Sequence, residues 1–185
     1  MGLQIESGTG NGNSVGVTDQ NRLQTSAVMV SKEHQVNHTE GMAFSMGVEV
    51  TPTAAGDCFL YVKNLSDHDM IISEFMLNAT TSETITFKVG DSGTPAYDAV
   101  ITPVNRNAGS GNVANITAVS GVDITGLSGG SPIMSMFLKG GESSVRIAPT
   151  STFIIPQNKV FTGYVTTGGL AVKVGMGISF HKSGE

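Results

Sequence analysis

His34 and His38 stand four residues apart, the spacing at which two imidazoles on one face of a helix can hold a metal ion. In a strand the same spacing separates them by about 13 Å, too far to share one ion. The surrounding sequence is β-rich, so residues 31–40 are predicted as strand or loop, with no shared metal. Asp67-His68-Asp69 is the other compact group that could move a proton. It sits among Asn64, Ser66 and further short polar residues that satisfy local backbone groups, and this predicts a solvated turn. A nucleophile needs a base within hydrogen-bond reach and a third group to orient that base. His181, the fourth histidine, stands in no recognisable catalytic signature, and the chain has no H-E-x-x-H, paired-cysteine or Walker A pattern. GTGNG at residues 8–12 resembles a phosphate loop only superficially, since no strand is predicted before it and no helix after it. The sequence therefore predicts no catalytic residue, no cofactor and no metal, and the chain is not expected to be an enzyme.

The composition narrows the class further. At 185 residues the chain is the size of one domain and can bury a real core. Twenty-four glycines and only 14% charged residues fit an all-β protein with many turns. A net charge of −5, with ten scattered basic residues, argues against nucleic-acid binding, which needs clustered Lys and Arg. Cys58 is the lone cysteine, so no intrachain disulfide can form; within an apolar strand it is expected to act as a small hydrophobe. No apolar run approaches the roughly 20 residues that span a bilayer, so no membrane partner is expected. Residues 1–16 lack the basic start and apolar run of a signal peptide. The expectation is a protein made in a cytoplasm that leaves it, if at all, without such a signal. The four Asn-x-Ser/Thr sequons, at Asn37, Asn64, Asn78 and Asn115, then have no consequence.

The elements that would position these residues centre on residues 57–77, DCFLYVKNLSDHDMIISEFML, a strand, a polar turn and a second strand with both faces largely apolar. Residues 84–89 alternate as a half-buried strand, with Ile85, Phe87 and Val89 inward. The strongest alternation is at the C-terminus, where Leu170, Val172, Val174, Met176, Ile178 and Phe180 share one face. The opposite face carries Lys173, Gly175 and Gly177, and glycine there marks a bend or a close backbone approach. Further strands are predicted at 23–30, 42–51, 98–104, 133–138, 143–147, 152–155 and 160–165, with Val145 and Ile147 inward. Residues 91–97 are predicted as a turn. Residues 105–131 are predicted as a long irregular tract with two short apolar pieces, and no convincing helix is predicted anywhere. About ten strands with turn signals every 8–12 residues predict an all-β, antiparallel β-sandwich, jelly-roll-like, over residues 17–185. Residues 1–16, rich in Gly, Asn and Ser, are predicted as a flexible N-terminal arm.

Three stretches carry a resemblance. A polar N-R-L turn at residues 21–23 runs into a strand, LYVKN at 60–64 is followed by a D-x-D-hydrophobic strand, and PVNRNAGSGNVANI occupies 103–116. In this order and spacing they resemble small jelly-roll virion structural proteins of tailed bacteriophages, of the capsid cement or decoration type. The resemblance implies a protein that binds and stabilises the outer surface of a head shell. Its partners would be the major capsid protein and copies of itself, as a homotrimer, and its location the capsid surface of a virion assembled in a bacterial cytoplasm. A tail, collar or fibre component of the virion, or a carbohydrate-binding β-sandwich, are the alternatives. Leu3, Ile5, Val15 and Val17 of the arm are expected to seat on a capsid or a neighbouring subunit. Asn105, Arg106, Asn107 and Asn112 form the expected interface loop, since a long loop in a compact domain is usually functional. Strands apolar on both faces, such as 59–62 and 133–138, are expected to need a second copy to cover them.

Overall fold

A computed structural model describes residues 32–141, 144–147 and 153–181. Leu3, Ile5, Val15 and Val17, the rest of the predicted arm and the predicted strand at 23–30 lie outside the described residues.

The described chain begins in a helical turn, Lys32–Gln35, that widens into a π-helical turn over Val36–Glu40 and stops at Gly41 in the left-handed region (φ 61°). Strands follow in the order β1 (Ala43–Val50), β2 (Cys58–Asn64), β3 (Asp69–Ala79), β4 (Glu83–Val89), β5 (Ser92–Ala96), β6 (Ala99–Val100), β7 (Val104–Asn105) and β8 (Ile116–Ser120). The remainder are β9 (Thr125–Ser128), β10 (Ser131–Leu138), β11 (Val145–Ile147), β12 (Phe153–Ile155), β13 (Val160–Val165) and β14 (Val172–His181). One sheet runs β11-β3-β14-β1-β7, with β12 also pairing β3; the other runs β10-β4-β13-β2-β8-β6, and every pairing is antiparallel. The chain passes from one sheet to the other between β1, β2, β3 and β4, then again between β12, β13 and β14. That interleaving, β12-β3-β14-β1 facing β10-β4-β13-β2, is the two-Greek-key order of a jelly roll.

The core between the sheets is built from their inward faces, as the alternation predicts. Ile85, Phe87, Val172, Val174 and Ile178 all belong to it. At its centre the rings of Phe75, Phe87 and Phe161 stack, with centroids 4.9 to 5.8 Å apart. Gly163 is where that stack leaves no room: a Cβ there would come within 2.9 Å of Phe59.

The structure corrects several local expectations. Residues 32–40 are helical, not strand or loop, because Asn side chains from a distant loop satisfy the turn's last carbonyls, as described below. Residues 92–96, expected as a turn, form β5 and pair with β9. The strand expected over 98–104 shrinks to the short β6 and β7, and Val100 and Val104 are 67% and 68% exposed. The tract 105–131 is not wholly irregular, since it contains β8 and β9. Val145 is exposed, not inward, because β11 is a three-residue edge strand. Phe59, Leu60, Tyr61 and Val62 need no second copy to cover them. Phe59, Leu60 and Val62 enter the main core, while Tyr61 joins Cys58, Val119, Ile124 and Val160 in a smaller cluster that the chain itself closes over.

Candidate functional site

The expected interface loop is spent largely on the protein's own backbone. The last carbonyls of a helical turn lack intrahelical donors and need other partners. Asn107 Nδ2 donates to the carbonyls of Asn37 (3.1 Å) and His38 (3.4 Å), Asn112 Nδ2 to that of Glu40 (2.7 Å), and Asn105 Nδ2 to that of Gly41 (2.8 Å). Asn105 Oδ1 in turn accepts the Asn107 N–H at 2.8 Å, an Asx turn that holds the loop's own bend. The structure thus brings Asn105, Asn107 and Asn112 together around the helical turn.

Arg106 goes elsewhere. Its Nε donates to Ser45 Oγ at 2.7 Å, and its guanidinium pairs with the Glu74 carboxylate on the outer face of the first sheet. Arg146 reaches the other Glu74 oxygen from β11, at 2.8 Å. Burial alone would push the Glu74 carboxyl up; the two guanidinium groups overcome it and hold the carboxyl below its usual range. Gly177 lies beneath this pair, and a Cβ there would push the Arg106 guanidinium and the Glu74 side chain from their present positions.

Glu74 faces outward because of a bulge. Along β3, Met70 and Ile72 are buried, and unbroken alternation would bury Glu74 and Met76 as well. Gly177 pairs with Glu74 but Ile178 with Ile72, so Ser73 is the extra residue and the phase flips. Phe75 and Leu77 then enter the core, and Met76 turns out to 49% exposure.

Met76 stands at the edge of a depression of about 420 Å³ on this outer face, lined also by Gly47, Glu49, Asn78, Lys173 and Gly175. A smaller hollow of about 130 Å³ adjoins it between Ser45, Glu74, Arg106 and Gly177. Lys173 Nζ bonds Glu49 Oε1 at 2.9 Å across the register pair of β1 and β14. Gly47 and Gly175 are also paired, and here the protein does not require glycine. The nearest atom to a Cβ at Gly47 is 3.7 Å away, and at Gly175 3.4 Å. Glycine weakens a strand and often marks a place where another backbone approaches closely.

The second sheet's outer face is different, because the ribbon β5–β9 and residues 121–124 lie against it. Asp91 ties the ribbon down: its carboxylate accepts from Thr162 Oγ1 (2.5 Å), Tyr164 Oη (3.0 Å) and the Gly130 N–H (2.8 Å). Beneath, burial pushes the Cys58 thiol up to about 12, which keeps it protonated and suits the small-hydrophobe reading.

The Asp67–His68 pair lies in the β2–β3 turn, as expected. His68 Nδ1 is 2.7 Å from Asp67 Oδ1, but the neighbouring Ser66 Oγ accepts the His68 backbone N–H at 3.1 Å instead of meeting the imidazole. Asn64, fully buried, completes the turn by accepting the Ser66 N–H at 2.9 Å and donating to the carbonyls of His68 and Ile155. These contacts build a turn, not a nucleophile–base pair. Among the described residues no group of three or more His, Cys, Asp and Glu is placed to hold a metal ion. No helix among them is long and apolar enough to cross a membrane.

The candidate site is therefore the open outer face across β1, β14 and β3. Of the loop residues singled out from sequence, Arg106 alone takes part in it. Glu74, Met76 and Gly47 are not among the residues expected from sequence; the signal for Gly47 is a glycine facing solvent within a strand, as at Gly175 and Gly177 of β14. In comparison with known proteins, no family model and no curated protein matches the chain.

Proposed function

We propose that the chain is a structural protein of a tailed-bacteriophage virion, a capsid cement or decoration protein that binds the outer surface of the head shell. The observation that carries the reading is the open, glycine-floored face on a jelly roll whose opposite outer face is closed by its own ribbon. Glycines let a partner's backbone come close, and exposed Met76 offers an adaptable apolar contact. The charges around the hollow are paired with each other, which suits a protein partner better than a polyanion. The partner in this reading is the major capsid protein. The arm residues Leu3, Ile5, Val15 and Val17 supply a second, extended contact.

Self-association belongs to the same proposal. Edge strands β10, β11 and β12 expose Phe137 (68%), Val145 (41%) and Ile154 (57%), apolar surface that a neighbouring subunit would cover. The homotrimer comes from the resemblance, and sedimentation equilibrium tests it: a stable monomer at micromolar concentration contradicts it.

The test of function is co-sedimentation of the purified protein with capsids that lack tails. Retention on these capsids, weakened by deletion of residues 2–16, is the expected result. Retention on isolated tails alone would transfer the protein to the tail, collar or fibre, and retention on neither would end the virion reading.

A further inference from the structure

We infer that His34 and His38 form a binding site for a borderline divalent transition-metal cation, of the copper, nickel and zinc class. The strand reading had set these residues too far apart to share an ion. The fold instead places them one turn apart across the junction of the two helical turns, with ring centroids 5.5 Å apart and planes within 11° of parallel. Two imidazoles that share one tetrahedral zinc, each at about 2.0–2.1 Å, have centroids roughly 5 Å apart. The backbone therefore already sets nearly the right separation. Because the rings are now close to parallel, rotation about their terminal side-chain torsions is what brings both nitrogens onto one ion, and that torsion is soft.

Two features favour a site over a chance contact of surface rings. Both side chains are exposed, so binding requires no opening of the core. The turn that carries them is pinned from outside: Asn107 bonds the carbonyls of Asn37 and His38, and Asn112 that of Glu40, so its curvature does not depend on local helix propensity alone. A preset backbone lowers the ordering cost that a two-ligand site could otherwise not meet. Among the described residues no third His, Cys, Asp or Glu completes a cluster, which leaves the remaining coordination positions to water or to a ligand from another molecule. Imidazole donors with no carboxylate select borderline cations over Mg²⁺ and Ca²⁺, which require oxygen ligands.

The experiment is calorimetric titration of the full-length protein, without a histidine tag, with Ni²⁺, Zn²⁺ and Mg²⁺. One equivalent of Ni²⁺ and of Zn²⁺ should bind, and Mg²⁺ should give no heat. His34→Ala and His38→Ala should each weaken Ni²⁺ binding at least tenfold, while His68→Ala, on the β2–β3 turn, should leave it unchanged. Circular dichroism establishes that each variant is folded. Absence of binding, or Ni²⁺ affinity in folded His38→Ala equal to that of the parent protein, would overturn the inference.

Discussion

The two outer faces of the sandwich are built on the same kind of sheet and finished in opposite ways. On the second sheet, Cys58, Tyr61, Val119 and Val160 point outward, and the chain folds Ile124 and the β5–β9 ribbon over them, with buried Asp91 as the tie. On the first sheet the outward positions are Ser45, Gly47, Glu49, Lys173, Gly175, Gly177, Glu74 and Met76, and no element among the described residues covers the hollow they line. One face needs a cover because it is apolar. The other needs none for stability, because its glycines and paired charges cost little in water. What a cover would add there is recognition.

Substitutions of decreasing effect separate the two faces. The largest acts on the core the two sheets share. Val174→Asp places an unpaired charge among Leu77, Phe75 and Ile178, at a cost of several kcal/mol. Neither face should survive, and a soluble protein with native circular dichroism would contradict the packing. Next is Asp91→Ala, which strands the Thr162 and Tyr164 hydroxyls under the ribbon and should cost about 3 kcal/mol in urea unfolding. Hydrogen exchange should quicken over residues 92–96 and 125–128 while β1, β14 and β3 keep their protection. Equal exchange in both regions would show that Asp91 is not the tie.

A smaller effect is pH dependence. Glu83 is buried, which alone would raise its carboxyl. The N–H groups of Thr167, Gly168, Thr84 and Thr166, at 2.8 to 3.1 Å, outweigh burial and hold the carboxyl below its usual range. A depressed folded value means that the unfolded chain takes up the proton first as pH falls. The contribution is thus complete above the ordinary glutamate value of about 4.3 and is lost as pH falls through the folded one. Urea midpoints measured from pH 7 down to pH 3 should fall, and Glu83→Gln should be less stable at pH 7 with a shallower fall. An unchanged slope in the variant would remove Glu83 from the account. Least in size is Gly47→Ala on the open face. The site has room for a Cβ, so the change should raise stability by about 0.5–1 kcal/mol, seen as a higher urea midpoint. A destabilised variant would mean that the protein itself, not a partner, requires this glycine.

Much of the sandwich was legible because period-two alternation reports burial directly, and residues 84–89 and 172–180 pack as their pattern predicts. The same rule failed in β3, since a one-residue bulge at Ser73 reverses the phase and leaves no mark in composition. Glu74 and Met76 were hidden for that reason. The helical turn at 32–40 was hidden for another: its carbonyls are satisfied by Asn105, Asn107 and Asn112, some seventy residues away, and tertiary hydrogen bonds override local propensity. The ribbon at 92–96 was read as a turn because Gly93 and Pro95 look like turn residues, whereas its partner β9 lies in a tract that itself looked irregular.

In the proposed function, the outer face across β1, β14 and β3, which no described element covers, meets the shell. Met76→Glu puts a charge between the two hollows of that face without touching the core, and co-sedimentation with tailless capsids reads the consequence. The variant should fold and melt like the parent protein yet be lost from the capsid pellet. A folded Met76→Glu protein that pellets with capsids as fully as the parent would contradict it.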